Sequence, residues 1–330
     1  MKILVFEYIT GGGFAGQALP DKLAAEGRMM LQALLDDLKS LPDLELILPL
    51  DERCLNFSLP ANARVAPVGT NVDINRLLSE LMLEADAVWP VAPETGGVLA
   101  DIARQVLACG KTLLLSTPET VAMCGDKLAT YRYLRDQGLP VVEALPLLGL
   151  AESPFPASVI KPIDGVGCEG NRIIEDSTQF QMAIAGLRDT ANYLIQPFCH
   201  GQAASLSCLF KQGLGWLLCC NQQQIAVENG QFHLQACIVN AATESIVAYQ
   251  ALVDRVARAM PGLWGYVGID LIETPDEGAL ILEINPRLTT SYVGIKRATG
   301  INVAEQTLLL LDGEPNLTFS KRQPVAVVIH

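Results

Sequence analysis

Short apolar runs alternate with helical patterns over the first third of the chain. Runs at 3–8, 44–48, 87–91 and 112–115 read as strands. Between the first two, Leu23, Met30, Leu31, Leu34 and Leu38 recur at three-to-four spacing behind Pro20-Asp21. That is one apolar helical face with a start signal. Spans 74–83 and 98–108 supply two more helices, so residues 1–116 predict a doubly wound parallel sheet. Beyond residue 117 the rhythm changes. A helix at 126–137 precedes closely spaced strand-like runs at 157–162, 171–175, 192–197 and 203–210. These predict an α+β lobe over 117–198 with antiparallel pairs. A second lobe, 199–330, is expected to hold a helix at 244–260, strands at 266–273 and 279–284, and a helix near 302–311.

Composition narrows the class. Half of the 330 residues are hydrophobic, but Pro and Gly interrupt each apolar stretch short of the roughly 18–20 residues that cross a bilayer. The first ten residues lack a signal-peptide pattern, so a cytoplasmic protein with no membrane partner is expected. A formal net charge of −13 opposes a general nucleic-acid binder, which needs clustered Lys and Arg. The nine cysteines include no C-x-x-C pair and read as free thiols, with Cys219-Cys220 in an apolar run. His200, His233 and His330 lack zinc-ligand spacing.

Two segments match G-x-G-x-x-G. In the first, Gly11 to Gly16, a strand precedes and a helix follows, but the next candidate acid, Asp51, lies about 35 residues on. A ribose-binding acid is expected roughly 20 on. A dehydrogenase is therefore a minor alternative, and the turn reads as a substrate approach or a plain tight turn. The second, Gly165, Gly167 and Gly170, lies between two strands and reads as a hairpin loop whose backbone N–H groups suit phosphate oxygens. Lys161 sits at its base. Some 100 residues later, Asp270, Glu283 and Asn285 stand inside apolar strand sequence, with Glu283 and Asn285 on one strand face. Buried carboxylates need compensation, and oxygen donors of this kind suit Mg²⁺, with Mn²⁺ as a substitute. Arg287 is placed to neutralise charge on a phosphoryl group. A polar strand edge ending in an Asn285-Pro286 turn is the simpler alternative.

These ordered pieces resemble the ATP-grasp superfamily over about residues 118–311. The resemblance implies a Rossmann-like pre-ATP-grasp domain followed by a two-lobed ATP-grasp fold that grips ATP. It casts Lys127 and Lys161 as the phosphate-reaching lysines, and Gly165, Gly167 and Gly170 as the mobile loop. Gln196, Pro197 and Phe198 become the adenine hinge, with the backbone of Pro197, Phe198 and Cys199 facing the base. Asp270, Glu283 and Asn285 become the metal ligands, and Arg287 the arginine of an E-x-N-P-R motif. One departure stands out: where such proteins carry a ribose-binding acid after the hinge, Gly201-Gln202-Ala203 has none, leaving Gln202 or Ser205 as neutral substitutes.

Within the superfamily, Phe6 to Gly13, Ala92 to Gly97 and Asn285 to Gly294 are similar to the archaeal branch that joins tyramine to glutamate in methanofuran biosynthesis. The implied chemistry is an acyl phosphate formed from a carboxylate and ATP, then displaced by an amine. Small-molecule substrates follow from this, and pairing of the chain into a homodimer is a family expectation. Thr289, Thr290, Ser291 and Tyr292 bind the carboxylate substrate or cap the next helix. Glu94 holds an incoming ammonium or marks a helix N-terminus, and Tyr8, Glu7 and Thr10 are further substrate candidates. A non-catalytic ATP-binding or sensor protein of the same fold is the alternative.

Overall fold

A computed structural model describes residues 1–330 apart from Glu169, Glu244 and His330. The chain begins with β1 (Lys2–Glu7), α1 (Asp21–Leu38), β2 (Glu45–Asp51), β3 (Ala63–Val68), α2 (Ile74–Glu84), β4 (Ala87–Val91), α3 (Val98–Ala108) and β5 (Thr112–Leu113). The strands form one parallel sheet in the order β3-β2-β1-β4-β5. The inner strands β1, β2 and β4 are buried on both faces because helices cover both. Ile3 and Val5 of β1 pack with Leu31, Leu34 and Leu35 of α1, whereas Leu4 and Phe6 pack with Leu78 and Leu99 of α2 and α3. Strand order reverses between β1 and β4, and ligands in open α/β sheets bind at the carboxyl ends of such neighbours. The glycine turn after β1 and the Ala92–Gly97 loop after β4 lie at that edge.

Next come α4 (Pro118–Gly125), α5 (Lys127–Asp136), β6 (Leu145–Pro146), β7 (Ser158–Pro162), β8 (Arg172–Ile174), α6 (Ser177–Ala185) and β9 (Tyr193–Pro197). The four strands form an antiparallel sheet, β6-β9-β7-β8. Its core gathers Leu147, Ile160, Ile174, Phe180 and Ile195. Asp126 caps α5, its side chain accepting from the Ala129 N–H at 2.8 Å. The glycine loop is the β7–β8 hairpin loop, as its sequence context predicts.

The remaining elements are β10 (Gln202–Lys211), β11 (Leu214–Glu228), β12 (Gln231–Val239), α7 (Ile246–Ala259), β13 (Gly265–Thr274), β14 (Gly278–Asn285), α8 (Tyr292–Thr299), α9 (Val303–Leu309) and β15 (Val325–Val328). Six strands pair antiparallel as β14-β13-β10-β11-β12-β15. Leu252, Val253 and Val256 of α7 cover one face of this sheet. On the other face, Leu209, Leu218 and Tyr266 meet Tyr292 and Ile295 of α8 in the same core that holds α1. Helix α1 therefore belongs to two layers at once, which fixes its exposed flank over the large sheet.

Strands β3, β6, β11, β12 and β15 and helices α4, α6 and α8 lie outside the spans the sequence pattern marked. The predicted helix at 244–260 is α7, two residues shorter at its start, with Glu244 outside the described residues. Strand β11 carries Asn221, Gln222, Gln223 and Gln224 in succession, so apolar alternation is lost there. No helix among the described residues is long and apolar enough to cross a membrane.

Candidate functional site

Register brings the acids together. Asp270 on β13 lies opposite Glu283 on β14, and on its other side opposite Ser205 of β10. Asn285 follows two residues after Glu283 and projects to the same face. Its Nδ2 donates to Asp270 Oδ2 at 3.1 Å and reaches Glu283 Oε1 at 3.5 Å. Gln223 Nε2, from the polar part of β11, donates to the other oxygen, Asp270 Oδ1, at 3.0 Å. Burial and then the neighbouring Glu283 push the Asp270 carboxyl up to about 8. Burial also pushes Glu283 upward, but Lys127 and Lys161 outweigh it and hold this carboxyl below its ordinary value. Two buried carboxylates at this spacing repel each other, and a bound cation relieves that repulsion. Among the described residues no group of three or more His, Cys, Asp or Glu gathers around one point. Two acids and an amide fit a hard divalent ion that takes phosphate and water oxygens as its remaining ligands.

Both lysines point at this end. Lys127, the first residue of α5, places Nζ 3.5 Å from Glu283 Oε2, with both side chains largely buried. The same ammonium donates to the Gly165 carbonyl at the start of the glycine loop, and the Lys127 N–H donates to the Ile163 carbonyl at 3.0 Å. Lys161 on β7 is held below the ordinary lysine range by burial, against the opposing pull of Glu283. The loop itself turns through Gly167 and Gly170, both with left-handed backbone at φ +60° and +74°. A side chain at Gly170 would also collide with Pro162.

Between this cluster and the N-terminal sheet opens a cavity of about 720 Å³. Gly167 and Gly170 line it from the small lobe, Glu283 and Thr290 from the large lobe, and Glu7 and Glu26 from the N-terminal domain. Arg287 also faces it. Its Nε donates to Glu94 Oε2 at 2.9 Å and its Nη1 to the Leu288 carbonyl at 3.1 Å, which pins one edge of the guanidinium. Thr289 and Ser291 belong to a hydroxyl network, 2.9 Å apart, with Tyr266 2.9 Å from Thr289 and 3.0 Å from Ser207.

Several sequence expectations fall elsewhere. Glu94 is buried against Arg287 and is absent from the cavity wall, so its carboxylate serves the guanidinium rather than an ammonium; its Oε1 is buried without a partner. Tyr8 packs between Phe6 and Phe14 and against Gly13, inside the glycine turn. Tyr292 is in the core, donating to Asp37 Oδ2 at 2.8 Å, because its position opens α8 against α1. Glu7 is on the wall, yet the Ile9 and Thr10 N–H groups and the Thr10 hydroxyl already satisfy it. Gln196 is buried at the end of β9, and Pro197 and Phe198 follow it. The Phe198 N–H is engaged by the Ala157 carbonyl at 2.9 Å, so this amide does not face a base. Gln202 is exposed and turns its Nε2 to the Ala203 carbonyl. Asp51 is clamped by its neighbour Arg53, with contacts of 2.8 and 2.7 Å, which removes the acid a dinucleotide site would use.

Sequence reasoning missed Glu26 and the β11–β12 hairpin. Gln231, Phe232 and His233 of that hairpin line the cavity, and the Phe232 ring stacks on Phe198 at 6.4 Å. The signal for Glu26 was available: it interrupts the apolar stripe of α1 one residue before Gly27. A Cβ at Gly27 would lie 2.7 Å from the Glu7 carboxylate, so this turn of α1 rides directly over the acid.

Comparison with known proteins agrees with this geometry. The family model described as an ATP-grasp domain matches residues 124–291, and a pre-ATP-grasp domain model matches 44–121. The chain is 26% identical over 298 residues to the tyramine–L-glutamate ligase of Methanocaldococcus fervens, covering 89% of each. Among solved structures it is similar to an ATP-grasp superfamily protein of Archaeoglobus fulgidus, with TM-score 0.72, 24% identity, and 99% and 92% of the two chains covered. The L-amino acid ligase of Bacillus licheniformis shares the fold at TM-score 0.66 and 18% identity, over 94% and 74%. With a family model spanning half its length, this chain belongs to the ATP-grasp family and is a ligase of that family.

Proposed function

We propose that this enzyme joins a carboxylic acid to an amine through an acyl phosphate, and that its substrates are L-glutamate and tyramine or close analogues. The carrying observation is the convergence of Asp270, Glu283, Asn285 and Arg287 on the wall of a cavity that the glycine loop also lines, with the charges of Lys127 and Lys161 acting on Glu283. An oxygen of the substrate carboxylate attacks the γ-phosphorus of ATP and ADP departs. The amine nitrogen then attacks the acyl carbon, phosphate departs with the former carboxylate oxygen, and the ammonium protons pass to solvent. Both steps concentrate negative charge beside Arg287 on the cavity wall and near Glu283, where the Lys127 and Lys161 ammoniums act, and fixed charges in a desolvated site are effective there. Magnesium, held by Asp270, Glu283 and Asn285, supplies charge neutralisation at the transferring phosphate when bound. The glycine loop shields the acyl phosphate from water.

The substrate pair rests on the relatives named tyramine–L-glutamate ligase and on the resemblance to their branch, which also suggests methanofuran-type cofactor assembly. Incubation of the enzyme with Mg-ATP, L-glutamate and tyramine is expected to yield ADP, phosphate and γ- or α-glutamyltyramine in equal amounts. Nucleotide hydrolysis that ignores both co-substrates, or tight ATP binding without turnover over a panel of acids and amines, would sink the reading.

A further inference from the structure

One carboxylate on the cavity wall has no role in the chemistry above. Glu26 lies on the second turn of α1, the helix shared between the N-terminal sheet and the large lobe. Its side chain is half-buried, lines the cavity, and receives one long hydrogen bond, from the Thr290 hydroxyl to Oε2 at 3.4 Å. Oε1 has no hydrogen-bond partner among the described residues. Of the basic groups nearby, Arg287 is paired with Glu94 and Lys127 with Glu283, while Lys22, one helical turn before Glu26 and also on the cavity wall, is exposed and forms no ion pair with it. No ion pair to Glu26 is formed among the described residues.

A carboxylate in such a place is costly unless a cation completes it. Burial does raise its proton affinity, against the opposing effects of the Thr290 hydrogen bond and of Arg287. A core function does not account for Glu26, because its neighbours Ala24, Gly27, Met30 and Leu31 supply the packing of α1 while Glu26 faces the opening. Thr290 follows the E-x-N-P-R segment by three residues, so a group seated on Glu26 is tied through one hydrogen bond to the strand end that carries the phosphoryl chemistry.

We propose that Glu26 is the residue that recognises a primary ammonium group of a substrate, with Thr290 holding its carboxylate in place. The proposal rests on the ligase reading and deepens it: the enzyme selects amine-bearing substrates through the N-terminal domain. The ammonium belongs either to the attacking amine or to the α-amino group of the acid, and the two are separable by experiment.

The test compares wild type with Glu26→Gln, which keeps the shape and removes the charge. With Mg-ATP, the KM values for tyramine and for L-glutamate are measured. Hydroxylamine, largely uncharged at neutral pH, then replaces tyramine, and glutarate, which lacks an ammonium, replaces glutamate. Loss of a charged hydrogen-bond partner predicts a KM increase of roughly 10- to 100-fold for the substrate that Glu26 holds. If tyramine suffers and hydroxamate formation from glutamate does not, Glu26 seats the attacking amine. If glutamate suffers and glutarate does not, it seats the acid's ammonium. Either result sustains the proposal. Unchanged KM values for both, or an equal loss with every substrate including hydroxylamine and glutarate, overturns it. Should the wild type make neither amide nor hydroxamate, the ligase reading itself fails and the assignment of Glu26 goes with it, an outcome distinct from a wild-type enzyme that works and a Glu26→Gln enzyme that matches it.

Discussion

Glu94 and Arg287 are 193 positions apart in the chain and 2.9 Å apart in space. From sequence each had its own assigned task, because nothing in a linear pattern tells that a loop after β4 reaches the end of β14. Their pairing turns Glu94 into a brace. Removing one member of a buried pair leaves the other charge uncompensated, which typically costs 3–5 kcal/mol. Glu94→Ala is therefore expected to lower the unfolding free energy in urea by about 3 kcal/mol and to slow turnover at saturating substrate, since the guanidinium loses its fixed edge. A stability change within about 0.5 kcal/mol, the range of ordinary surface substitutions, would show that the brace is not needed. The acids Asp270 and Glu283, by contrast, were legible at once. Carboxylates inside apolar strands are rare enough to stand out, and the two-residue spacing of Glu283 and Asn285 decides their shared face without further information.

At the level of elements, the parallel sheet and its helices were readable because buried strands and amphipathic helices leave different periods in the sequence. The long β11–β12 hairpin was not. Gln223 and Gln231 line the cavity while Gln222 and Gln224 are exposed, and the tip pairs with the small lobe, where the Ile173 N–H donates to the Gly230 carbonyl at 2.9 Å. Polar residues on a strand that borders a cavity erase the alternation by which strands are found. The hairpin also carries Phe232 onto Phe198, the residue after β9, with rings 9° from parallel. Phe232→Leu keeps the apolar bulk and deletes the stacked face, an exchange worth about 1 kcal/mol. The expected result is a KM for ATP several-fold higher with the amine and acid KM values little changed. An unaltered ATP KM would show that the hairpin serves stability alone.

For the whole molecule, three sheets meet around one cavity, and each brings a different kind of group. The N-terminal domain brings Glu7 from β1 and Glu26 from α1, the small lobe brings the glycine loop, and the large sheet brings Asp270, Glu283 and Asn285. The residues that the family motifs single out, Asp270, Glu283, Asn285 and Lys127, come together in the fold. Glu26 carries a signal in sequence as a break in the apolar stripe of α1, but its place on the cavity wall follows only from folding, since α1 packs on α8, far along the chain. Activation of the carboxylate by phosphorylation at this cluster is the step on which the proposed ligase chemistry depends. It is tested most directly with L-glutamate carrying ¹⁸O in its carboxylates, turned over with Mg-ATP and tyramine. The expected products are ADP as the nucleotide and phosphate in which each molecule has gained one ¹⁸O atom. Label in AMP, or phosphate free of ¹⁸O while amide accumulates, would contradict it.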